Sequence, residues 1–252
     1  MCLELFSHEQ TPKEDYPYKV EFVWKPTSYH RMKKGLRRFE NDHNSISSFL
    51  YHSILGQNWV KNFLDIKLPE QFTVPGLPKL NFYQQEAVRR ALVEPLCLIQ
   101  GPPGTGKTVT SASIVYHLVR QTKRQVLVCA PSNVVVDMLA QRIHETGVKV
   151  LRFCSKSRES VSSDVEELTL HWKLKNHKDP ELRKFFQLLD EEKTLSSEEE
   201  TKFKQLRKKA EEDIIRNSEV ICATCIASAD RRLAEFYFSH VLIDEATQAI
   251  EP

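Results

Sequence analysis

The sequence predicts an α/β fold in which strands of a parallel sheet alternate with helices. Three observations lead there. Gly101-Pro102-Pro103-Gly104-Thr105-Gly106-Lys107-Thr108 fits the phosphate-loop pattern G-x-x-x-x-G-K-[ST], which joins a strand to a helix. Residues 96–100, 126–130, 148–153, 219–224 and 241–243 are apolar runs of strand length. Helical patterns separate several of them, and that alternation implies right-handed crossovers.

Residues 1–17 are polar and interrupted by Thr11-Pro12 and Tyr16-Pro17. Val20, Phe22 and Trp24 alternate with polar neighbours, predicting a half-buried strand over 18–24. Thr27 or Ser28 is placed to cap a helix whose apolar stripe is Met32, Leu36 and Phe39. Arg31, Lys33, Lys34, Arg37 and Arg38 surround that stripe; they read as a phosphate-contacting patch or, more simply, as a solvated face. A second helix is expected over 45–55, stopped by Gly56. Pro69, Pro75, Gly76 and Pro78 form a stiff linker, where we place a domain boundary.

A helix over 81–93 precedes the phosphate-loop strand at 96–100. Behind the loop, Ile114, Val115, Leu118 and Val119 recur at helical spacing. The strand at 126–130 leads to a helix over 132–145 and a strand at 148–153. Segment 157–216 breaks this rhythm, being highly charged and helical. Asp179 caps a helix with Pro180 at its first position. Leu182, Phe185, Phe186 and Leu189 form its stripe, and Ser197 with Glu200 fits a capping box. Phe203, Leu206, Ala210 and Ile214 continue at helical spacing. The segment therefore reads as a helical hairpin inserted into the sheet domain, either a lever against nucleic acid or a decoration. Val241-Leu242-Ile243 is continuously apolar, as a fully buried parallel strand should be.

The loop's chemistry follows from its residue types. Its glycines let backbone N–H groups close on phosphate at a helix N-terminus, where the helix dipole favours an anion. Lys107 would reach the β- and γ-phosphates, and Thr108 would ligate Mg²⁺. Asp244 and Glu245 leave a strand at the sheet edge where ligands sit. Asp244 can meet the metal held by Thr108, and Glu245 can polarise the water that attacks the γ-phosphate. Lys107, Asp244 and Glu245 are thus the candidate catalytic residues.

Charged residues make up 28% of the chain but the formal net charge is only +2, so a nucleic-acid site must be a local patch. No N-terminal signal-like segment or membrane-length apolar run is present. Soluble cytoplasmic protein is the expectation. Of six cysteines, Cys222 and Cys225 form C-x-x-C. Three residues apart on a strand they face opposite ways, and neither a second pair nor a nearby histidine completes a zinc site. They read as buried structural thiols.

Kinases, GTPases, transporters and helicases all carry such loops. Asn176-His177-Lys178-Asp179 has the wrong order for a guanine-reading N-K-x-D element. Three further elements point to helicases: Leu80-Asn81-x-x-Gln84 before the loop, Ala130-Pro131-Ser132-Asn133 after one strand, and Ala223-Thr224-Cys225 after another. In this order they resemble superfamily-one helicases, and more closely the up-frameshift RNA helicase family. The likeness runs from about residue 18 to 252, through Val23-Trp24-Lys25, the phosphate loop, Leu127-Val128-Cys129-Ala130-Pro131-Ser132-Asn133 and Leu242-Ile243-Asp244-Glu245-Ala246-Thr247-Gln248.

The resemblance implies a RecA-like domain that takes ATP and Mg²⁺. It implies that Gln84 reads adenine through its amide, which can pair with both N6 and N7. It implies that Ser132, Asn133 and Thr224 contact the nucleic-acid backbone, although Ser132 also suits a helix N-cap. Partners would be single-stranded RNA, with DNA left open, and mRNA decay factors; no membrane is involved. The family's zinc-binding region has no counterpart in the chain, and its accessory barrel is matched at most by the first two dozen residues. The chain stops at Pro252, so the second RecA-like domain is expected to lie outside it. The expected organisation is an accessory remnant and stalk (1–75), a RecA-like domain (76–156 and 217–252) and a helical insertion (157–216). An ATP-dependent RNA helicase of nonsense-mediated mRNA decay is the leading reading. The alternatives are a non-catalytic nucleotide- or RNA-binding module and an ATPase with no nucleic-acid partner.

Overall fold

The computed structural model describes residues 26–155, 158, 163–191 and 195–249. The strand expected over 18–24, Val23-Trp24-Lys25, Cys2, Ser157 and Pro252 fall outside these. Helix α1 spans Thr27–Asn41 and α2 spans Ser48–Ile54. Helix α3 is Phe82–Val93, α4 is Lys107–Thr122 and α5 is Asn133–His144. Among the inserted residues lie α6, Leu170–Lys175, α7, Pro180–Asp190, and α8, Ser197–Asn217. The strands are β1, Val126–Ala130, β2, Val150–Arg152, β3, Val220–Thr224, and β4, His240–Ile243.

The four strands form one parallel sheet in the order β2-β3-β1-β4. The register sets Val128 beside Cys222 on one side and Leu242 on the other. Side chains alternate between faces, and both faces are covered. Val126, Val128, Val150, Val220 and Cys222 pack in one core with Val88, Leu92, Val115, Leu118, Leu139 and Ile143 of α3, α4 and α5. Leu127, Cys129, Leu151, Ile221 and Ala223 pack in a second core with Leu174, Leu182, Ala210 and Ile215 of α6, α7 and α8. Double coverage is why these strands read as unbroken apolar runs. The inserted helices supply the sheet's second layer, so they are more than a decoration.

Several local expectations need correction. Residues 96–100 are apolar but form no strand among the described residues. A strand needs a ladder partner, and β4, the last strand of the sheet, pairs with β1 alone. Leu98 is accordingly 87% exposed. For the same reason β4 is a half-exposed edge strand rather than a buried one, with Val241 57% exposed. Helix α1 starts after Pro26 without a side-chain cap, so Thr27 and Ser28 lie inside its first turn. Ser47 caps α2, whose start is therefore later than expected. The α8 capping box is Ser196 with Glu199, one residue earlier than Ser197 with Glu200. The pattern S-S-E-E-E offers both registers, and local spacing alone does not choose between them. The expected strand over 148–153 shortens to β2, although Phe153 N still donates to Cys222 O at 2.8 Å.

The proline-rich stretch packs tightly. Ile66, Leu68, Phe72, Val74, Leu77 and Leu80 are buried or half-buried, most of them against the α3–α5 core. Gly76 has φ +73°, and a Cβ there would come within 2.5 Å of Glu145 O at the end of α5. Only glycine suits that turn.

Candidate nucleotide site and nucleic-acid edge

Helix α4 ends a few residues before β1 begins, so it runs back along the sheet and its N-terminus stands at the carboxyl edge. Gly104 and Gly106 hold left-handed φ of +79° and +78°, and Gly106 is the α4 N-cap. At two glycines of the loop a side chain would displace a neighbouring side-chain end. A Cβ on Gly106 would lie 2.7 Å from Gln84 Nε2, and one on Gly101 2.7 Å from Thr105 Oγ1. Lys107 Nζ donates to Gly101 O at 2.8 Å and to Pro102 O at 3.1 Å, folding the ammonium over the loop. Thr105 Oγ1 also donates to Pro102 O, at 2.8 Å. Thr110 N makes the first bond back to Gly106 O, leaving the N–H groups of Lys107, Thr108 and Val109 without an intrahelical partner. A glycine cradle, a cation and three helix-end donors fit a polyphosphate.

Asp244 N donates to Cys129 O at 2.9 Å, carrying the β1–β4 ladder one residue past Ile243. The carboxylate is thereby delivered to the same edge as the α4 N-terminus. Its Oδ1 accepts the Glu245 N–H at 2.9 Å. Glu245 has φ 51° and ψ 37°, a left-handed conformation in a residue with a Cβ. Such a residue costs about 1–2 kcal/mol, and strain of this kind collects at functional sites. Thr108 and Asp244 offer hard oxygens suited to Mg²⁺.

Ser132, Asn133 and Thr224 reach this edge from β1 and β3, which Cys225 N joins by donating to Ala130 O at 3.1 Å. Ser132 Oγ accepts from Val135 N at 3.2 Å, the capping bond expected of it. Thr224 Oγ1 accepts from Ala227 N at 3.1 Å. Asn133 Oδ1 accepts from Arg152 Nη2 at 2.9 Å. Local bonds thus use an oxygen of all three, leaving hydroxyl and amide hydrogens, the polarity a phosphate needs.

Gln84 sits beside the loop with both ends of its amide engaged. Its Oε1 accepts from Asn81 N at 2.8 Å, completing a capping box, and its Nε2 donates to Thr105 O at 3.0 Å. The amide therefore ties α3 to the phosphate loop.

Two features escaped sequence reasoning. Arg152 is fully buried on β2 and paired with Asp137 of α5. A lone arginine inside an apolar run was the available signal. Arg31 of α1, read from the sequence as part of a phosphate-contacting patch or a solvated face, instead donates to Ile226 O at 2.9 Å and to Asp230 Oδ2 at 2.8 Å, a contact the sequence did not show that fastens α1 to the loop behind Thr224. Burial raises the Asp230 carboxyl, but hydrogen bonds from Arg232 and Arg31 outweigh it and hold the group below its usual range. Cys222 is buried as expected, whereas Cys225 is only half-buried. Burial pushes Cys129 and Cys222 up to about 12, and Cys222 and Cys225 pack in opposite cores. No group of three or more His, Cys, Asp or Glu suited to a metal occurs among the described residues. No described helix is long and apolar enough to cross a membrane.

A sequence profile for the AAA domain matches residues 79–197 and 173–252. The chain is 50% identical to a "Regulator of nonsense transcripts 1 homolog" from Arabidopsis thaliana, covering 100% of this chain and 20% of that protein. It is 50% identical to "ATP-dependent helicase upf1" of Schizosaccharomyces pombe, over 99% of this chain and 28% of the relative. It is 47% identical to "ATP-dependent helicase NAM7" of Saccharomyces cerevisiae, over 93% of this chain and 24% of the relative. The chain thus spans between 20% and 28% of the length of these relatives. The matched profile runs through the phosphate loop, the inserted helices and Asp244-Glu245, and with its parallel sheet and RecA-like phosphate-loop architecture the chain belongs to the AAA domain family.

Proposed function

We propose that the chain carries the first RecA-like, nucleotide-binding domain of an ATP-dependent RNA helicase that acts in nonsense-mediated mRNA decay in the cytoplasm. The observation that carries this reading is the shared edge. Lys107 and Thr108 open α4 where Asp244 and Glu245 leave β4, with Ser132, Asn133 and Thr224 alongside. The relatives' names, ATP-dependent helicase and regulator of nonsense transcripts, support ATP as the nucleotide and mRNA surveillance as the setting.

The residues divide the work. Backbone N–H groups from Gly104 to Val109 and the Lys107 ammonium hold the triphosphate, the ammonium turning from Gly101 O and Pro102 O to phosphate oxygens. Mg²⁺, when bound, neutralises charge on the transferred phosphate, and Thr108 and Asp244 are the residues that would hold it. The Glu245 carboxylate orients a water and takes its proton. Ser132, Asn133 and Thr224 grip single-stranded RNA by its phosphates, without reading bases.

The test uses a chain extended to the length of its relatives. Glu245→Gln keeps ATP affinity while RNA-stimulated phosphate release falls by two orders of magnitude or more, about the range of a general base. Unimpaired phosphate release in that variant would remove Glu245 from the mechanism.

A further inference from the structure

We propose that Arg152 is a positioning residue for the nucleic-acid edge: from beneath α5 it orients the Asn133 amide so that its N–H groups meet a phosphate backbone. The proposal rests on the reading of Asn133 as a phosphate contact.

Arg152 is 0% exposed on a strand otherwise built from apolar residues. A buried guanidinium without partners is costly by several kcal/mol, so its bonds define what it does. Nε donates to Asp137 Oδ1, Nη1 to Phe153 O at 2.8 Å, and Nη2 to Asn133 Oδ1 at 2.9 Å. Asn133 and Asp137 are four residues apart on α5, one turn above the other on the same face. The carboxylate is itself held on its far side, where Oδ2 accepts from Arg158 Nη2 at 3.3 Å and from Ser163 Oγ at 3.4 Å. Asp137 is thus fixed by three donors, and the planar fork it binds is fixed with it.

That rigidity has a chemical consequence at Asn133. An arginine has donors and no acceptor, so it meets the amide only through Oδ1. The Nδ2 hydrogens must then point away from Arg152. A freely turning asparagine presents either an acceptor or a donor, and an acceptor repels phosphate; the buried fork excludes the wrong face. Lysine would keep the charge but not the fork, and could not hold Asp137, Phe153 O and Asn133 in one plane. A pair that served packing alone could be replaced by apolar side chains with little loss. The bond to Asn133 is the part that packing does not require.

The experiment measures polyuridine binding to the 252-residue chain by fluorescence anisotropy, with ATP calorimetry and a thermal melt beside it. Asn133→Ala and Arg152→Lys should each weaken polyuridine binding about three- to tenfold, the scale of one ordinary net hydrogen bond. The double variant should be no weaker than Asn133→Ala alone, and ATP affinity should not move. Asp137→Asn, which releases the fork at unchanged volume, should repeat that pattern and serves if Arg152→Lys does not fold. An Asn133→Ala chain that binds polyuridine as tightly as the parent would overturn the underlying reading. If Asn133→Ala weakens binding but folded Arg152→Lys or Asp137→Asn leaves it unchanged, or the losses multiply in the double variant, the positioning role itself is wrong.

Discussion

Gln84 shows how one side chain can serve both a helix and a site. Its amide oxygen caps α3 through Asn81 N, and its amide nitrogen holds Thr105 O in the phosphate loop. Adenine reading by this amide would draw on the same two groups. The contacts make a distinct prediction. Gln84→Ala should weaken inorganic triphosphate as well as ATP, because the loop loses its tie, and should cost about 1 kcal/mol of stability through the lost cap. Calorimetry with triphosphate against ATP separates the roles: a loss confined to ATP would leave Gln84 an adenine reader and nothing more. The residues of the phosphate loop were legible because their chemistry depends on local spacing. The Gln84–Thr105 and Arg152–Asn133 bonds were not, because each joins positions brought together only by the fold.

The inserted helices make the strongest case at the scale of elements. Their stripes were readable from periodicity, and Asp179 with Pro180 marked the start of α7 correctly. What they pack against was not readable, since a stripe reports that a face is buried and not its partner. Leu182 is 0% exposed in the core that covers the second face of the sheet. Leu182→Ala should therefore destabilise the sheet domain by about 2–5 kcal/mol, the usual cost of such a cavity. Urea unfolding followed by the circular dichroism of the whole chain gives the value. A change below about 0.5 kcal/mol would mean that the insertion folds apart from the sheet. The misread strands have a matching explanation. Residues 96–100 and β4 carry strand-like composition, but pairing is a property of neighbours. With β4 at the edge of the sheet, one run stays unpaired and the other half-exposed.

Across the whole molecule, α1 is fastened to the sheet domain through Arg31 and Asp230, close behind the Thr224 edge. Because the Asp230 carboxyl is held below its usual range, its contribution is fully present above the unfolded value of about 3.9 and fades only as pH falls through the lower folded value. A carbon-13 NMR titration should place its midpoint below that of an ordinary aspartate, and Arg31→Ala should move it upward. A midpoint that Arg31→Ala leaves unmoved would mean that the α1 contact does not hold in solution, because Arg232 also lowers this carboxyl. The fold class, most of the strands and the helix that opens at Lys107 were legible in the sequence pattern. The two-sided core and the docking of α1 were not, because both depend on contacts between residues far apart in the chain. The central claim is that the glycine loop, Lys107 and the α4 N-terminus bind a nucleotide by its phosphates. It is tested most directly by isothermal titration of the chain and its Lys107→Ala variant with ATP–Mg²⁺ and with adenosine. The account predicts that ATP binds more tightly than adenosine, and that Lys107→Ala removes most of that difference while leaving adenosine unchanged. Equal losses for both ligands, or a variant that binds ATP as well as the parent, would contradict it.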